Sequence, residues 1–336
     1  MSDNALTLAV ARLVDAANGH RGLEPAQPFR DAMNDLAALD GPNAEERRSC
    51  VGTALADVTS PSGAGLIALW LGASVEHGAD PLPQIQPLLD CFLRFTRQVK
   101  TEDGEVIEDG TDEELAFGLE LVGQGFVAHL SRAPEGLRAV QANAEAVAEL
   151  ERVESYSLGP MWVLELIRKV SGELIVLHGE QPVGAKVEYR NISNCFHLFT
   201  LLQAALKKAM PGARKITANV LAVAHGRRLA ECRDEAWWHY GQPVSRSPDL
   251  MTSVYGEESP QQIGSIDGQQ VMLLWPPIVR HRAWNAGFFG PALKAAPAAV
   301  ELIKILSPEE VITWRQRIGL PTVPTTAARK PWWMFW

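Results

Sequence analysis

The chain has 336 residues, of which 46% are hydrophobic and 21% charged, and carries a formal net charge of −9. This is an ordinary globular composition, long enough for two domains that each bury a core. No window holds about 18 uninterrupted apolar residues, so no transmembrane helix is expected, and Cys50, Cys91, Cys195 and Cys232 are spaced too widely and irregularly to outline a disulfide framework.

Reduced thiols in a cytoplasm are the simpler reading of those cysteines. The N-terminus, with acidic residues and no basic leader, reads as an amphipathic helix and not as a signal peptide. Charge is divided unevenly: 13 basic and 27 acidic residues in 1–170 give −14, whereas 18 basic and 13 acidic in the remainder give +5. Such a division can help two halves dock, or turn the second half toward an acidic partner. The basic residues of the second half are scattered pairs (Lys207-Lys208, Arg214-Lys215, Arg227-Arg228) without an arginine-rich stripe, so no nucleic-acid partner is expected.

Residues 1–170 read as helices throughout. Leu6, Val10, Leu13 and Val14 form the first apolar stripe, stopped by Gly19, and Pro25 to Leu39 is a second helix closed by Asp40-Gly41-Pro42. Asn43 and Glu46 resemble a capping box that starts a third. Ala64 to Val75 is strongly apolar and therefore central, and Pro83 to Lys100 presents Ile85, Leu88, Leu89, Phe92 and Phe95 inward. The acidic stretch 101–114 lacks the ligand order of an EF-hand and reads as a solvated loop or small hairpin. Thr111 with Glu114 repeats the capping-box pattern for a helix to about Arg132. Pro134 begins another that runs to about Tyr156 and is broken by Gly159-Pro160, and Met161 to Val170 is the last.

From 171 the pattern changes. Leu174-Ile175-Val176-Leu177 is a short apolar run, the signature of a buried strand. Gly179-Glu180-Gln181-Pro182 supplies turn residues, and from Val183 the pattern alternates, so 173–190 reads as a β-hairpin. Asn194 is placed to cap a helix with Leu198, Phe199, Leu202 and Leu206 on one face. Ile216 to Ala224 reads as a third strand, 227–268 as irregular, and Asp267-Gly268 as a turn before a fourth strand, Val271 to Trp275. Pro291 to Ile305 reads as a helix. Ser307-Pro308-Glu309-Glu310 begins another, which Gly319 and Pro321 stop. The expected fold is an all-α N-terminal helical domain (1–170) followed by a mixed α/β (α+β) domain (171–320) and an aromatic tail (321–336).

Chemistry-bearing motifs are sparse. The stretch Gly63-Ala64-Gly65-Leu66-Ile67-Ala68 fits G-x-G-x-x-A by letter, but no strand precedes it, so its glycines read as sites of close helix packing and no dinucleotide site is assigned. No Walker loop, nucleophile elbow or H-E-x-x-H pair is present. The best cluster is in the second domain. His178 and His225 end expected strands, and Cys195 and His197 open a helix, where a thiol's pKa is depressed, making Cys195 a candidate nucleophile with His197, His178 or His225 as base. Cys195, His197, Cys232 and His239 are also zinc-compatible, though C-x-H then C-x6-H is not a common zinc spacing. Buried cysteines are otherwise small hydrophobes, and a strand-end histidine often only satisfies a carbonyl.

The chain ends in Pro331-Trp332-Trp333-Met334-Phe335-Trp336. Leaving such side chains in water costs roughly 1.5–3 kcal/mol for each large one. The tail can fold back on its own domain, enter a partner's pocket, lie at a membrane interface beside Arg329 and Lys330, or serve as a peptide substrate carried on a folded leader. Pro321 to Thr326 suits a spacer. The leading expectation is a cytoplasmic binding or accessory protein whose tail residues Trp332, Trp333, Met334, Phe335 and Trp336 meet a protein partner or modifying enzyme. The alternative is an enzyme with a Cys/His site in the second domain, with or without a metal.

Overall fold

The structure is a computed structural model; it describes residues 2–22, 24–39, 43–102, 105–107, 112–212, 215–228, 230–235, 238–285 and 296–321. Residues 322–336 of the aromatic tail and Thr111 lie outside the described residues. The architecture is a helical part followed by a mixed α and β part, and the chain divides into two compact units. One comprises Met1–Arg168 and takes in Ala296; the other begins at Lys169 and resumes at Pro297.

The helical unit contains α1 (Ser2–Asn18), α2 (Gln27–Ala37), α3 (Ala44–Ala54), α4 (Pro61–Glu76) and α5 (Ile85–Thr96). A two-stranded antiparallel pairing of β1 (Thr101–Glu102) with β2 (Glu105–Val106) follows at the start of the acidic stretch, of which 103–104 and 108–111 lie outside the described residues. The unit closes with α6 (Glu113–Leu130), α7 (Pro134–Ala142), α8 (Ala144–Arg152) and α9 (Leu158–Ile167). The Asn43 side chain accepts from the Glu46 N–H at 2.7 Å, as its position before α3 implies. Asp112, one residue beyond Thr111, caps α6 by accepting from Leu115 N–H.

Helix α4 is buried on most sides because it is built from small residues. Two of its glycines face α6: a Cβ on Gly65 would stand 2.7 Å from Leu121 Cβ, and one on Gly72 would stand 2.8 Å from Gly125 Cα, while Gly63 packs on the Ala17 backbone of α1. These contacts require glycine, and they give the G-x-G-x-x-A letters a packing role.

Two helix boundaries differ from the sequence reading. The single helix expected from Pro134 to Tyr156 is divided at Asn143, which ends α7 and whose side chain accepts from Ala146 N–H to cap α8. Gly159-Pro160 does not break a helix but lies in the first turn of α9. A proline there removes only an N–H that the helix would leave unpaired.

The second unit is organised on β3 (Val170–His178) and β4 (Gly184–Ile192), an antiparallel hairpin. Helices α10 (Cys195–Ala205) and α11 (Ala218–Ala224) follow, then β5 (Glu231–Glu235), β6 (His239–Gly241), β7 (Ser265–Ile266), β8 (Gln269–Trp275), β9 (His281–Asn285), β10 (Ala299–Ile305) and α12 (Pro308–Arg317). The main sheet has the order β10-β4-β3-β8-β6, with β3 and β8 parallel; β5 and β9 pair separately. Leu174 and Val176 enter one core while Ile175 and Leu177 enter the other. The apolar run is continuous because both faces of β3 are covered. Between β7 and β8, Asp267 (φ 52°) and Gly268 (φ 79°) form the turn, a conformation that favours Asn, Asp and Gly.

Three expectations are corrected here. Ile216 to Ala224 is not a strand: 218–224 is α11. Thr217 caps it by accepting from Val220 N–H, and the apolar positions 216, 220, 223 and 224 follow a helical spacing that the β-branched residues obscure. Residues 299–305 are not helical but form β10, paired antiparallel with β4; 291–295 lie outside the described residues. Pro297 interrupts the supposed helix, and Val300, Ile303 and Ile305 favour the pleated strand. The region 227–268 is not wholly irregular, since β5, β6 and β7 fall within it.

Strand β10 is an edge of the described sheet, with Leu302, Ile303 and Ile305 exposed. Its register slips between Leu302 and Lys304, and Glu301 and Lys304 place charge along it. A bulge and charges blunt an edge against unwanted pairing.

Candidate functional site

The six candidate Cys and His residues of the second unit do not form one site. Asn194 caps α10 by accepting from His197 N–H at 3.3 Å, which places Cys195 and His197 in the first turn. The His197 ring donates from Nδ1 to the Ala224 carbonyl at 2.8 Å and meets the Trp284 indole edge-on, at 5.2 Å between centroids. Cys232 on β5 lies opposite Trp284 on β9. His225 ends α11 and donates from Nδ1 to the Ala298 carbonyl at 2.7 Å. His197 and Cys232 therefore share the surroundings of Trp284, and His225 adjoins the residue that anchors His197.

The other two histidines are elsewhere. His239 on β6 is buried beside Asp249 and Ser253; its Nε2 accepts from Asp249 N–H at 3.2 Å. His178 ends β3 at the turn, where its Nδ1 accepts from the N–H groups of Glu180 and Gln181, each at 3.2 Å. Among the described residues, no group of three or more His, Cys, Asp and Glu is placed to hold a metal ion. The proposed set Cys195, His197, Cys232 and His239 does not converge there.

Cys195 is wholly buried, and its thiol pKa is raised, by burial first and by the nearby Glu258 carboxylate second. The depressed pKa expected at a helix start is thereby corrected. A helix N-terminus offers partial positive charge, but desolvation of a thiolate in a closed core outweighs it. Burial likewise pushes Cys91 up to about 12. Only Cys50 of the four cysteines is partly exposed. A thiol reagent added to native protein is therefore expected to modify Cys50 within minutes and Cys91, Cys195 and Cys232 only when the chain is unfolded. Prompt labelling of Cys195, read by peptide mass, would contradict this packing.

His178 has a pH signature. Its pKa falls from 6.5 to about 4, through burial first and the Arg315 guanidinium second. The unfolded imidazole takes up its proton near 6.5, the folded one near 4, so the unfolded chain binds more protons between those values. The stabilisation is complete above about 6.5 and is lost as pH falls toward 4, at about 1.4 kcal/mol per unit, or roughly 3 kcal/mol across the window. His178→Asn, which keeps an acceptor but cannot titrate, should flatten the urea-midpoint profile over this range. Parallel profiles for the two proteins would assign the pH dependence to other groups.

Two features escaped the sequence reading. Arg315 of α12, 2% exposed, donates to the carbonyls of His178 (2.9 Å), Gly179 (3.1 Å), Gln181 (3.2 Å) and Pro321 (2.6 Å). No local pattern announces a contact across such sequence separations. The second is an open cleft of about 560 Å³ between α3 and α4, lined by Arg48, Trp70, Ala73, Ser74, His77, Gly78 and Ala79. Trp70, Ala73, Ser74 and His77 recur at helical spacing, a signal present in the sequence but indistinguishable there from ordinary packing.

No protein-family model matches the chain, and no curated protein or solved structure matches it. Among the described residues, no helix is long and apolar enough to cross a membrane.

Proposed function

We propose that the protein binds or assists a partner through its C-terminal segment, Lys330-Pro331-Trp332-Trp333-Met334-Phe335-Trp336. The segment acts as a recognition element or as a peptide carried on a folded leader and modified by a partner enzyme. The observation that carries this reading is the anchoring of the chain just before the tail: Leu320 is buried, and Arg315 holds the Pro321 carbonyl at 2.6 Å. The tail therefore departs from a fixed point. The Pro- and Thr-containing stretch after it suits a spacer, and terminal Trp and Met side chains suit insertion into a partner's pocket. The basic balance of the second half would favour an acidic partner surface.

The test uses protein isolated from the cells that make it. Peptide mass analysis of Pro331–Trp336 distinguishes the two forms of the proposal: a mass added to or lost from the aromatic residues identifies a modification target, and an unmodified tail leaves the recognition element. For the recognition element, a partner that copurifies with the full chain should be released by excess synthetic KPWWMFW and should not bind the chain ended at Ala328. An unmodified tail together with equal partner binding by the full and shortened chains would overturn the proposal.

A further inference from the structure

We propose that the cleft between α3 and α4 binds a small aromatic carboxylate. It is a site of the helical unit and does not rest on the role given to the tail. Its volume of about 560 Å³ is within the range of small-molecule pockets. One wall is the partly buried Trp70 indole, with the Ala73 methyl beside it on the same face of α4. That surface takes a planar apolar body by stacking.

Beside this wall Arg48 has donors to spare. Arg48 is partly buried, yet no hydrogen bond or ion pair engages its guanidinium among the described residues. A guanidinium presents a planar fork matched to two carboxylate oxygens. His77 donates from Nδ1 to the Ala73 carbonyl at 2.8 Å, which fixes the ring at the edge of the cleft and leaves Nε2 as the acceptor of that tautomer. The Ser74 hydroxyl uses its one proton on the Trp70 carbonyl at 3.0 Å, so Arg48 is the group that meets an anion here.

The nearby carbonyls at the end of α4 do not compete for Arg48. Those of Ala73, Ser74 and Val75 accept from the backbone N–H of His77, and Gly78, whose φ of 97° closes the turn, donates to Val75. The cleft thus joins a flat apolar wall to an unengaged cation. An anion without a ring would leave Trp70 uncovered, and a neutral ring would leave Arg48 unpaired. A carboxylate attached to a ring satisfies both.

The full chain should be titrated calorimetrically with N-acetyl-L-tryptophan, with its neutral amide, and with inorganic phosphate. Expected is saturable one-to-one binding of the acid, with the amide and phosphate each at least about tenfold weaker, the scale of one charge-assisted contact or one stacked ring. Arg48→Gln should weaken the acid by a similar factor and leave the amide unaffected. Trp70→Leu should reduce the acid and leave phosphate unaffected. Equal binding of acid and amide, equal binding of acid and phosphate, or no saturable binding of the acid would overturn the proposal. Those comparisons use the unaltered chain and hold even if a variant fails to fold.

Discussion

Gly125→Val is expected to unfold the helical unit or leave it barely stable. A Cβ at Gly125 would overlap the Ala68 carbonyl group of α4, and backbone cannot rotate away as a side chain can. Gly72, on the facing helix, is in the same contact, with its own Cβ position 2.8 Å from Gly125 Cα. Relief requires α4 and α6 to separate, and both helices line the unit's core through Ala64, Ile67, Ala68, Leu71, Leu119, Val122 and Phe126. Overpacking a core commonly costs about 1–3 kcal/mol when side chains can adjust. Here backbone must move and three carbons are added, so a loss of about 4 kcal/mol or more is expected, against a typical total of roughly 5–15 kcal/mol. Valine's better helix propensity offsets well under about 1 kcal/mol of this. Gly125→Ala should fall between, near 2 kcal/mol. Urea unfolding followed by circular dichroism reads the effect; a valine variant with an unaltered midpoint would mean that the helices are not in this close contact.

Arg315→Met should destabilise the second unit by roughly 2–4 kcal/mol. Methionine approximates the arginine stem in volume but donates nothing, leaving the carbonyls of His178, Gly179, Gln181 and Pro321 without this donor. A buried polar group stripped of its partner costs about 1–3 kcal/mol. The sum is reduced because burying the guanidinium itself carries a desolvation penalty, which also lowers its own pKa. Arg315→Lys restores charge and up to three donors but not the planar fork, and should recover only part of the loss. A second readout separates this contact from simple packing. Without the guanidinium, the pKa of His178 should rise toward its ordinary value, so the stability lost on acidification should move to a narrower window. An Arg315→Met protein as stable as the original, with the same acid profile, would show that the four-carbonyl contact contributes nothing.

What the sequence made legible follows from the range of each interaction. Caps are local, so Asn43, Asn194 and Ser307 could be read directly, and Ser307 with Glu310 forms a complete capping box. The β3–β4 hairpin was legible because a continuous apolar run met a turn and then an alternating strand. Strand β10 is not legible locally, because its conformation is decided by pairing with β4, more than a hundred residues earlier. The helix α11 has the look of a strand because four of the nine residues at 216–224, Ile216, Thr217, Val220 and Val223, are β-branched and mask the Thr217 cap and the alanines. His178 ends a strand and Cys195 and His197 open a helix, as the local pattern implies, but His225 ends a helix and not a strand, Cys232 and His239 lie on strands and not in an irregular segment, and nothing in their spacing reveals that His178 and His239 lie apart from Trp284. Arg315 and Arg48 carried no signal, because one acts across the fold and the other is notable only for the surface left around it.

The tail's role is tested most directly by ending the chain after Ala328 and comparing its urea unfolding with that of the full chain. If the terminal rings serve a partner, the midpoint should agree with the full chain's to within about 0.5 kcal/mol, the scale of a neutral surface change. If they instead fill the protein's own interior, their removal should cost roughly 1.5–3 kcal/mol for each buried ring, and a loss of several kcal/mol would contradict the recognition role.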